Sequence, residues 1–398
     1  MMQVGVYYIA SKNVSNKTLH QSNMDLIKEL TLVSGLDMVV CQLDEMADYD
    51  FSCVFIGGGG TEGMFLEAFD KLTKPVVLLT TGENNSLAAS MEILSFLQQN
   101  NVKGEIIHGS IAKMASRLNL LAKVFAVKKR INHLRLARVG KPSDWLIASD
   151  VDAKLSEDTN GIKIIDIPMQ EFFDEIAKNE YLENEYTKTL LDKGFDKQAT
   201  EKALSIYGAL KRLVVKYDLD GVTVRCFDLL KPIGNTGCVA LAILNAEGIY
   251  SGCEGDTPAL ISMAVLGELS QQPIFMANPS RINDVDNEIV FAHCTLPINM
   301  PKAFTCMTHF ESGIGVALAG ELTEGKVTLF KCSGLLDRYY VTVGELIENL
   351  KEQNLCRTQV RIKLKANDIE YLLTKSIGNH HMIAIGDYQE LVEEFFKW

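Results

Sequence analysis

Short apolar runs alternate with helical patterns through the first hundred residues of this 398-residue chain. The apolar runs lie at 4–9, 38–43, 53–56 and 75–80, and helical patterns begin near residues 22, 61 and 86. Strands joined by helices of this length form β-α-β units, which pair as a parallel sheet. The pattern therefore predicts a doubly wound α/β domain over residues 1–135.

The pattern restarts near residue 136 and predicts a second α/β domain over residues 136–293. Strand-like runs at 136–140 and 161–167 are followed by helical patterns at 169–178 and 200–217. Beyond residue 294, short segments separated by glycine and charged turns replace the helices. Closely spaced short strands are typical of antiparallel structure, so we expect residues 294–398 to form a β-rich domain or barrel.

Composition limits the partners of the chain. A formal net charge of −12 disfavours a nucleic-acid or anionic-membrane surface, and a small neutral or cationic ligand fits better. Apolar runs fall short of the roughly 18 residues of a membrane span, and residues 1–13 lack the basic start of a secretory signal. Nine cysteines without a C-x-x-C pair suit reduced thiols. We therefore expect a cytoplasmic protein.

An acidic turn at residues 252–256 is the strongest candidate for a functional site. It contains Glu254 and Asp256 between two apolar flanks, predicted to be a strand at 238–244 and a helix at 259–269. An unpaired buried charge costs several kcal/mol, so these carboxylates need partners. A metal, a substrate hydroxyl or backbone N–H groups would each serve.

Histidines cluster toward the end of the chain, where four of the seven occur. His293 follows a predicted strand at 288–292, and His380 opens one at 382–385. A single histidine is more simply explained as a hydrogen-bonded or surface imidazole. Taken together with Glu254, the two histidines instead predict a divalent transition-metal site, because two imidazoles and one carboxylate leave positions open for oxygen ligands.

Two further charged positions are candidates for chemistry or for pairing. Glu311 lies two residues after His309 and would share its face on a strand, as an acid or base or as a solvated surface pair. Arg225 lies in the apolar segment 222–227 and needs a carboxylate partner such as Glu254 or Asp256. A structural role is favoured for this arginine.

A glycine motif and an amide pair mark the first domain. Gly58, Gly60 and Gly63 match a dinucleotide fingerprint, but they follow the third strand rather than the first. A lone match of this kind is weak, so a close strand-to-helix turn is favoured over a nicotinamide or flavin site. Asn84 and Asn85 follow a buried strand, where their amides could bind hydroxyls or cap the next helix.

These motifs together resemble the L-fucose/L-arabinose isomerase superfamily, specifically its short L-fucose isomerase-related branch. The resemblance is carried by residues 58–62, 83–87, 141–147, 253–256, 292–294, 379–381 and 386–387. It implies two doubly wound α/β domains followed by a β-rich C-terminal domain, assembled as a homotrimer or hexamer in which a neighbour helps to close each active site. It also implies aldose–ketose isomerisation of a monosaccharide through an enediol, with a divalent metal that is usually manganese.

The resemblance also implies roles for individual residues. By position, Glu254 matches a carboxylate that binds the metal and transfers the proton. His380 matches a histidine ligand, with His381 as the adjacent alternative, and His293 matches a ligand of the arabinose isomerase branch.

This chain departs from the family where the second carboxylate ligand is expected, because it has Asn278 there. An amide oxygen is a weaker ligand for a hard dication and cannot act as a base. Three alternatives remain: the metal is held loosely, Glu311 or Asp256 supplies the missing group, or the protein has lost the reaction.

Three functional hypotheses follow. The first is a sugar isomerase in which Asn84, Asn85, Asn278 and His309 contact the sugar. The second is a sugar-binding or regulatory protein without turnover on the same scaffold, which Asn278 supports. The third, a nucleotide-dependent oxidoreductase, rests on the glycine motif alone.

Overall fold

The computed structural model describes residues 2–10 and 17–398, so part of the amino-terminal segment considered above lies outside it. The chain forms two compact units. The first comprises Met1–Lys129 with Lys397–Trp398, and the second comprises Arg130–Phe396. The division into three domains with boundaries at residues 135 and 293 stays a prediction.

The first unit alternates strands and helices in the order β1 (Gln3–Ile9), α1 (Lys17–Ser34), β2 (Asp37–Cys41), β3 (Phe51–Ile56), α2 (Glu62–Ala68), β4 (Val76–Thr80), α3 (Ser86–Gln99), β5 (Gly104–Ile107) and α4 (Ile111–Ile131). The five strands form a parallel sheet with the order β2-β1-β3-β4-β5. One apolar cluster includes residues of α1 and α4, and another includes residues of α2 and α3. Helices thus cover both faces of the sheet, which confirms the predicted α/β class for this unit.

The second unit begins with a four-stranded parallel layer whose elements are β6 (Arg135–Val139), α5 (Ala153–Asn160), β7 (Lys163–Ile167), α6 (Met169–Ile176), α7 (Glu185–Asp192), α8 (Lys197–Tyr217), β8 (Gly221–Val224), α9 (Leu230–Ile233), α10 (Cys238–Ala246), β9 (Tyr250–Cys253) and α11 (Thr257–Ser270). The strand order is β7-β6-β8-β9. The predicted strand at 238–244 is wrong, because this segment lies within α10. Its residues are all buried, and a wholly apolar run has no period that separates strand from helix.

The remainder of the second unit is β-rich, with elements β10 (Phe275–Asn283), β11 (Glu288–His293), β12 (Ala303–Met307), β13 (Ala317–Glu321), β14 (Gly325–Cys332), β15 (Tyr339–Asn349), β16 (Thr358–Lys363), α12 (Ala366–Thr374), β17 (His381–Ile385) and α13 (Gln389–Lys397). Six antiparallel strands close into a barrel with the order β10-β11-β16-β15-β14-β17, and β12 pairs with β13. The predicted antiparallel β-rich structure is confirmed, but two of the barrel strands, β10 and β11, precede residue 294, where the sequence had predicted the β-rich part to begin.

Helix α11 connects the parallel sheet to the barrel. It contacts β8 and β9 on the sheet side and β14 and β17 on the barrel side, and nearly all its residues are buried. A helix that is apolar all round requires such covering on every side. Across the described residues, α11 included, no helix is both long enough and apolar enough to cross a membrane.

The parallel layer depends on a close approach at Gly208 in the middle of α8. A Cβ atom at this position would lie 2.0 Å from the carbonyl oxygen of Glu180 and 2.8 Å from Cα of Tyr181. We expect Gly208→Ala to lower the free energy of unfolding by about 3 kcal/mol, because backbone atoms must move to admit the methyl group. Chemical denaturation of the full chain measures this loss.

Gly63→Ala in α2 is the matched control. A Cβ there would meet nothing within 4 Å in the part of the chain that the structure describes. This substitution should leave stability unchanged or raise it by roughly 0.5–1 kcal/mol. Equal denaturation midpoints for the Gly208→Ala protein and the parent would contradict the prediction.

Candidate metal centre

Four side chains converge at one end of the parallel sheet: Cys253, Glu254, His293 and His380. Each offers one ligand atom, and these atoms all lie within 4.8 Å of one another. Cys253 ends β9 and Glu254 follows it, while His293 ends β11 and His380 precedes β17. The structure thus brings together Glu254, His293 and His380, whose roles as ligands stay predictions, and it adds Cys253, which the sequence analysis did not select.

The turn after β9 aims Glu254 into this cluster. Glu254 and Gly255 both have left-handed backbone conformations, with φ values of 64° and 74°. A Cβ on Gly255 would lie 2.7 Å from the carbonyl oxygen of Lys141, so glycine is required there. The Ser143 N–H donates to the Glu254 carbonyl oxygen at 2.8 Å, which fixes the turn against the loop after β6. A left-handed glutamate costs free energy and is typical of functional sites.

Asp256 holds His380 in one orientation. One carboxylate oxygen, Oδ1, accepts the Ala259 N–H at 2.9 Å and caps α11. The other, Oδ2, lies 2.8 Å from His380 Nδ1, and both side chains are fully buried. Because Nδ1 is committed to Asp256, His380 directs Nε2 toward the cluster. Nε2 lies 3.7 Å from Glu254 Oε1 and makes no hydrogen bond with any described residue.

The imidazole of His293 is oriented in the same way as that of His380. Its Nδ1 lies 2.7 Å from the hydroxyl of Thr295, and its Nε2 lies 3.6 Å from the Cys253 sulfur. The side chain is 4% exposed. Both imidazoles therefore turn Nε2 toward the cluster and engage Nδ1 behind it, which is the arrangement that orients histidine ligands in metal proteins.

His381 lies on the opposite face of β17. Its Nδ1 lies 2.9 Å from the Asn379 carbonyl oxygen, and its ring lies against the rings of Phe291, Tyr340 and Tyr371. Adjacent residues of a strand face opposite sides. The cluster accordingly contains His380 and not His381.

The charges of the cluster are strongly coupled. Burial opposes ionisation of Glu254, but the close, charged His380 outweighs it, with a further contribution from the Trp145 hydrogen bond, and lowers the pKa of Glu254 to about 2. Burial also opposes a charged His380, but the hydrogen bond to Asp256 and the nearby carboxylate charge of Glu254 raise its pKa to about 9. Burial and the charge of His380 lower the pKa of His293 to about 3. The positive charge of the His380 imidazolium thus offsets the negative charges of Glu254 and Asp256. A bound dication could supply positive charge in its place.

Aromatic rings line the approach to Glu254. The Trp145 indole N–H donates to Glu254 Oε2 at 2.7 Å, although the ring itself is 55% exposed. Trp145 packs edge-on against Phe227, which packs edge-on against His309. Trp145 and Phe227 were not selected as site residues from the sequence. The sequence does contain a signal for these two residues. They follow β6 and β8, and ligands bind beyond the carboxyl ends of parallel strands.

Glu311 and His309 lie in the turn between β12 and β13, so the shared strand face considered from the sequence does not arise. His309 Nδ1 lies 3.0 Å from the Ser312 hydroxyl. Partial burial and the charge of Glu254 raise the pKa of Glu311. The charge of Glu254 acts on both Glu311 and His309, so this turn lies within electrostatic reach of Glu254.

The predicted pairing of Arg225 with Glu254 or Asp256 is wrong. Arg225 follows the last residue of β8 and directs its guanidinium to Asp144 at 3.0 Å and Asp228 at 3.1 Å. Because β8 ends at Val224, Arg225 lies just outside the strand and its side chain is not part of a face of the sheet. Its predicted structural role agrees with these contacts.

Asn278 lies on the outer face of the barrel beside the cluster. It pairs with Ala292, and the preceding residue, Ala277, pairs with His381. Continuing this register by one residue brings Asn278 opposite His380. Its Oδ1 accepts a hydrogen bond from the Asn379 amide at 3.0 Å.

Asn84 and Asn85 belong to the first unit, in the turn before α3. Both have left-handed conformations, and the Asn84 carbonyl oxygen accepts the Gly59 N–H at 2.7 Å. A Cβ on Gly59 would lie 2.9 Å from Cβ of Asn85. The close approach of these two turns accounts for glycine at position 59, which lies between two glycines of the fingerprint. The sugar contacts expected of both asparagines stay predictions.

The raised pKa of His380 predicts a pH-dependent contribution to the stability of the metal-free protein. The folded value of about 9 exceeds the ordinary value of 6.5, so this stabilisation is complete below pH 6.5 and is lost as the pH rises through 9. His380→Gln should lack it. The difference in unfolding free energy between parent and variant should therefore shrink by on the order of 1–3 kcal/mol over that window.

Chelator-treated proteins denatured at a series of pH values provide the measurement. Other titrating groups, such as the Cys294 thiol, are common to both proteins and cancel in the difference. If the unfolding free energies of parent and variant change with pH in the same way, His380 is not protonated between the carboxylates.

Comparison with known proteins points to sugar isomerases, although no protein-family model matches the chain. The chain is similar to proteins named sulfoquinovose isomerase from Priestia aryabhattai and Priestia megaterium, each 24% identical over 324 residues, 77% of this chain and 72% of the relative. A sulfoquinovose isomerase of a Clostridium species is 23% identical over 292 residues, 66% of this chain and 63% of the relative. This likeness agrees with the resemblance to sugar isomerases, while the narrower L-fucose/L-arabinose assignment stays a prediction.

Proposed function

We propose that this chain is a metal-dependent sugar isomerase that interconverts the aldose and ketose forms of a monosaccharide. The observation that carries the proposal is the buried Nε2 of His380, which has no hydrogen-bond partner among the described residues and faces Glu254 within the four-residue cluster. A buried nitrogen left unpaired costs free energy, so it indicates a missing ligand. The likeness to sulfoquinovose isomerases supports the class of reaction.

The donors present fit a divalent ion. Glu254, His293 and His380 would hold it, and manganese is the ion that the family resemblance favours. When bound, such an ion would polarise the carbonyl and hydroxyl oxygens of an open-chain sugar.

Proton transfer would be divided between two carboxyl groups. The isomerisation moves a proton between adjacent carbons of the sugar, and Glu254, with a pKa of about 2, remains ionised and able to accept it. Glu311 has a raised pKa and suits an acid that protonates a sugar oxygen. Two carboxyl groups whose pKa values are pushed apart commonly divide acid and base roles.

Asp256 would act as a positioning residue rather than contact the sugar. It is fully buried, and both its oxygens are engaged, one by the Ala259 N–H and one by His380. Its proposed contribution is to orient His380. Asn278 and His309 remain available to contact hydroxyls beside the cluster, and Trp145 would pack against the carbon face of a sugar.

The assembly and the substrate form part of the same proposal. The family resemblance supports a cytoplasmic homotrimer or hexamer in which Asn84 and Asn85 of a neighbouring chain contact the sugar. The names of the relatives make sulfoquinovose the first sugar to test, followed by unsubstituted aldoses and ketoses.

A sugar-binding protein without turnover is the second candidate. Asn278 favours it, because this residue offers a neutral oxygen that is already bonded to the Asn379 amide. Saturable sugar binding without interconversion in the metal-loaded protein would support this alternative.

The direct test combines metal analysis of the purified full chain with a screen of sugar interconversion. Glu254→Gln should lower kcat by roughly 10²–10⁴-fold, because the amide cannot accept the proton. Glu345→Gln, at an exposed position on β15, is the matched control and should retain activity. A Glu254→Gln protein as active as the parent would remove the proposed base.

Asn278→Asp tests the position opposite His380. An added carboxylate should raise manganese affinity by roughly 1 kcal/mol or more after desolvation, because a hard dication prefers an anionic oxygen. Glu254→Gln in the same background should cancel the gain if both oxygens share one ion. Calorimetric titration decides the matter, and affinity no higher than that of the parent would show that residue 278 does not face the metal.

A further inference from the structure

Cys253 places a sulfur atom in the same cluster as the three predicted ligands. We propose that the Cys253 sulfur binds the metal as a thiolate and that the site consequently selects zinc, cobalt or ferrous iron more strongly than a site of oxygen and nitrogen donors would. This inference rests on the metal site of the proposed function, and it specifies the fourth donor and the class of ion.

Two distances across the cluster match the edges of a tetrahedral site. A tetrahedral ion with bonds of about 2.0–2.3 Å separates its ligand atoms by about 3.3–3.8 Å. The Cys253 sulfur lies 3.6 Å from His293 Nε2, and His380 Nε2 lies 3.7 Å from Glu254 Oε1. Each of these pairs joins one residue of the β9 end to one residue of the barrel. One ion at the centre would therefore bridge the two parts of the second unit.

Burial gives a second reason to include the sulfur. Cys253 is 3% exposed and His380 is fully buried, so an ion between them would be largely removed from water. A buried dication needs compensating negative charge. Glu254 supplies one charge, and the Cys253 thiolate would supply the other. As the metal binds, the Cys253 thiol proton and the Nε2 proton of His380 both leave to solvent, and no atom is oxidised or reduced.

The donor set also determines which ions bind best. Thiolate and imidazole suit zinc, cobalt and iron, whereas carboxylate, carbonyl and water suit manganese and magnesium. Any nitrogen and oxygen site already prefers zinc to manganese, so the preference itself proves nothing. The informative quantity is the decrease in the ratio of zinc to manganese affinity when the Cys253 sulfur is removed.

Cobalt titration of the metal-free full chain tests the proposal. The cobalt complex of the parent should show a sulfur-to-metal charge-transfer band in the near ultraviolet. Cys253→Ser should lose this band, and its ratio of zinc to manganese affinity should fall at least about tenfold. Cys226→Ser is the matched control, since this neighbouring buried thiol is outside the cluster, and it should retain the band.

The outcomes separate this proposal from the proposed function. A cobalt complex of the parent without the band would overturn thiolate ligation, and this measurement needs no variant that could misfold. Loss of the band in Cys226→Ser but not in Cys253→Ser would also overturn it. If the parent binds no cobalt, zinc or manganese, the metal site itself is wrong and the proposed function fails with it.

Discussion

The hydrogen bond between Asp256 and His380 joins the two halves of the second unit. The carboxylate begins α11, which packs between the parallel sheet and the barrel, and the imidazole precedes β17. Lys331, also buried, places its ammonium 4.0 Å from Asp256 Oδ1, which helps to hold the pKa of Asp256 at about 2 despite burial. One buried carboxylate therefore caps a core helix, compensates two cations and orients a candidate ligand. Loss of Asp256 would affect fold and site together.

The candidate site illustrates how burial assigns different tasks to similar groups. Asp256 and Glu254 are both ionised. Asp256 caps α11, whereas Glu254 accepts a hydrogen bond from the indole of the exposed Trp145. The two imidazoles also differ, because His380 lies between carboxylates and His293 does not, so their pKa values move in opposite directions. Environment rather than residue type sets these roles.

The strand and helix periods were sufficient to predict parallel α/β layers and an antiparallel barrel, because these patterns are local. The segment at 238–244 was misassigned because a wholly buried helix and a buried strand both give an unbroken apolar run. Glu254, His293 and His380 could be selected because charged and imidazole groups at strand ends require partners. Cys253 could not, since its relevance depends on which strand ends meet in space, whereas Trp145 was missed although it follows the carboxyl end of β6.

The choice between His380 and His381 shows why such a site needs tertiary information. The two residues are adjacent, and strand phase alone decides which one faces outward. In the observed register Ala277 pairs with His381, whose ring lies against the aromatic side chains inside the barrel. A slip of one residue would place His381 at the cluster, bury His380 among those rings and move Ile383 out of the barrel core, because each side chain of the strand would change faces. The packing of β17 in the barrel therefore decides which of the two adjacent imidazoles reaches Asp256 and Glu254.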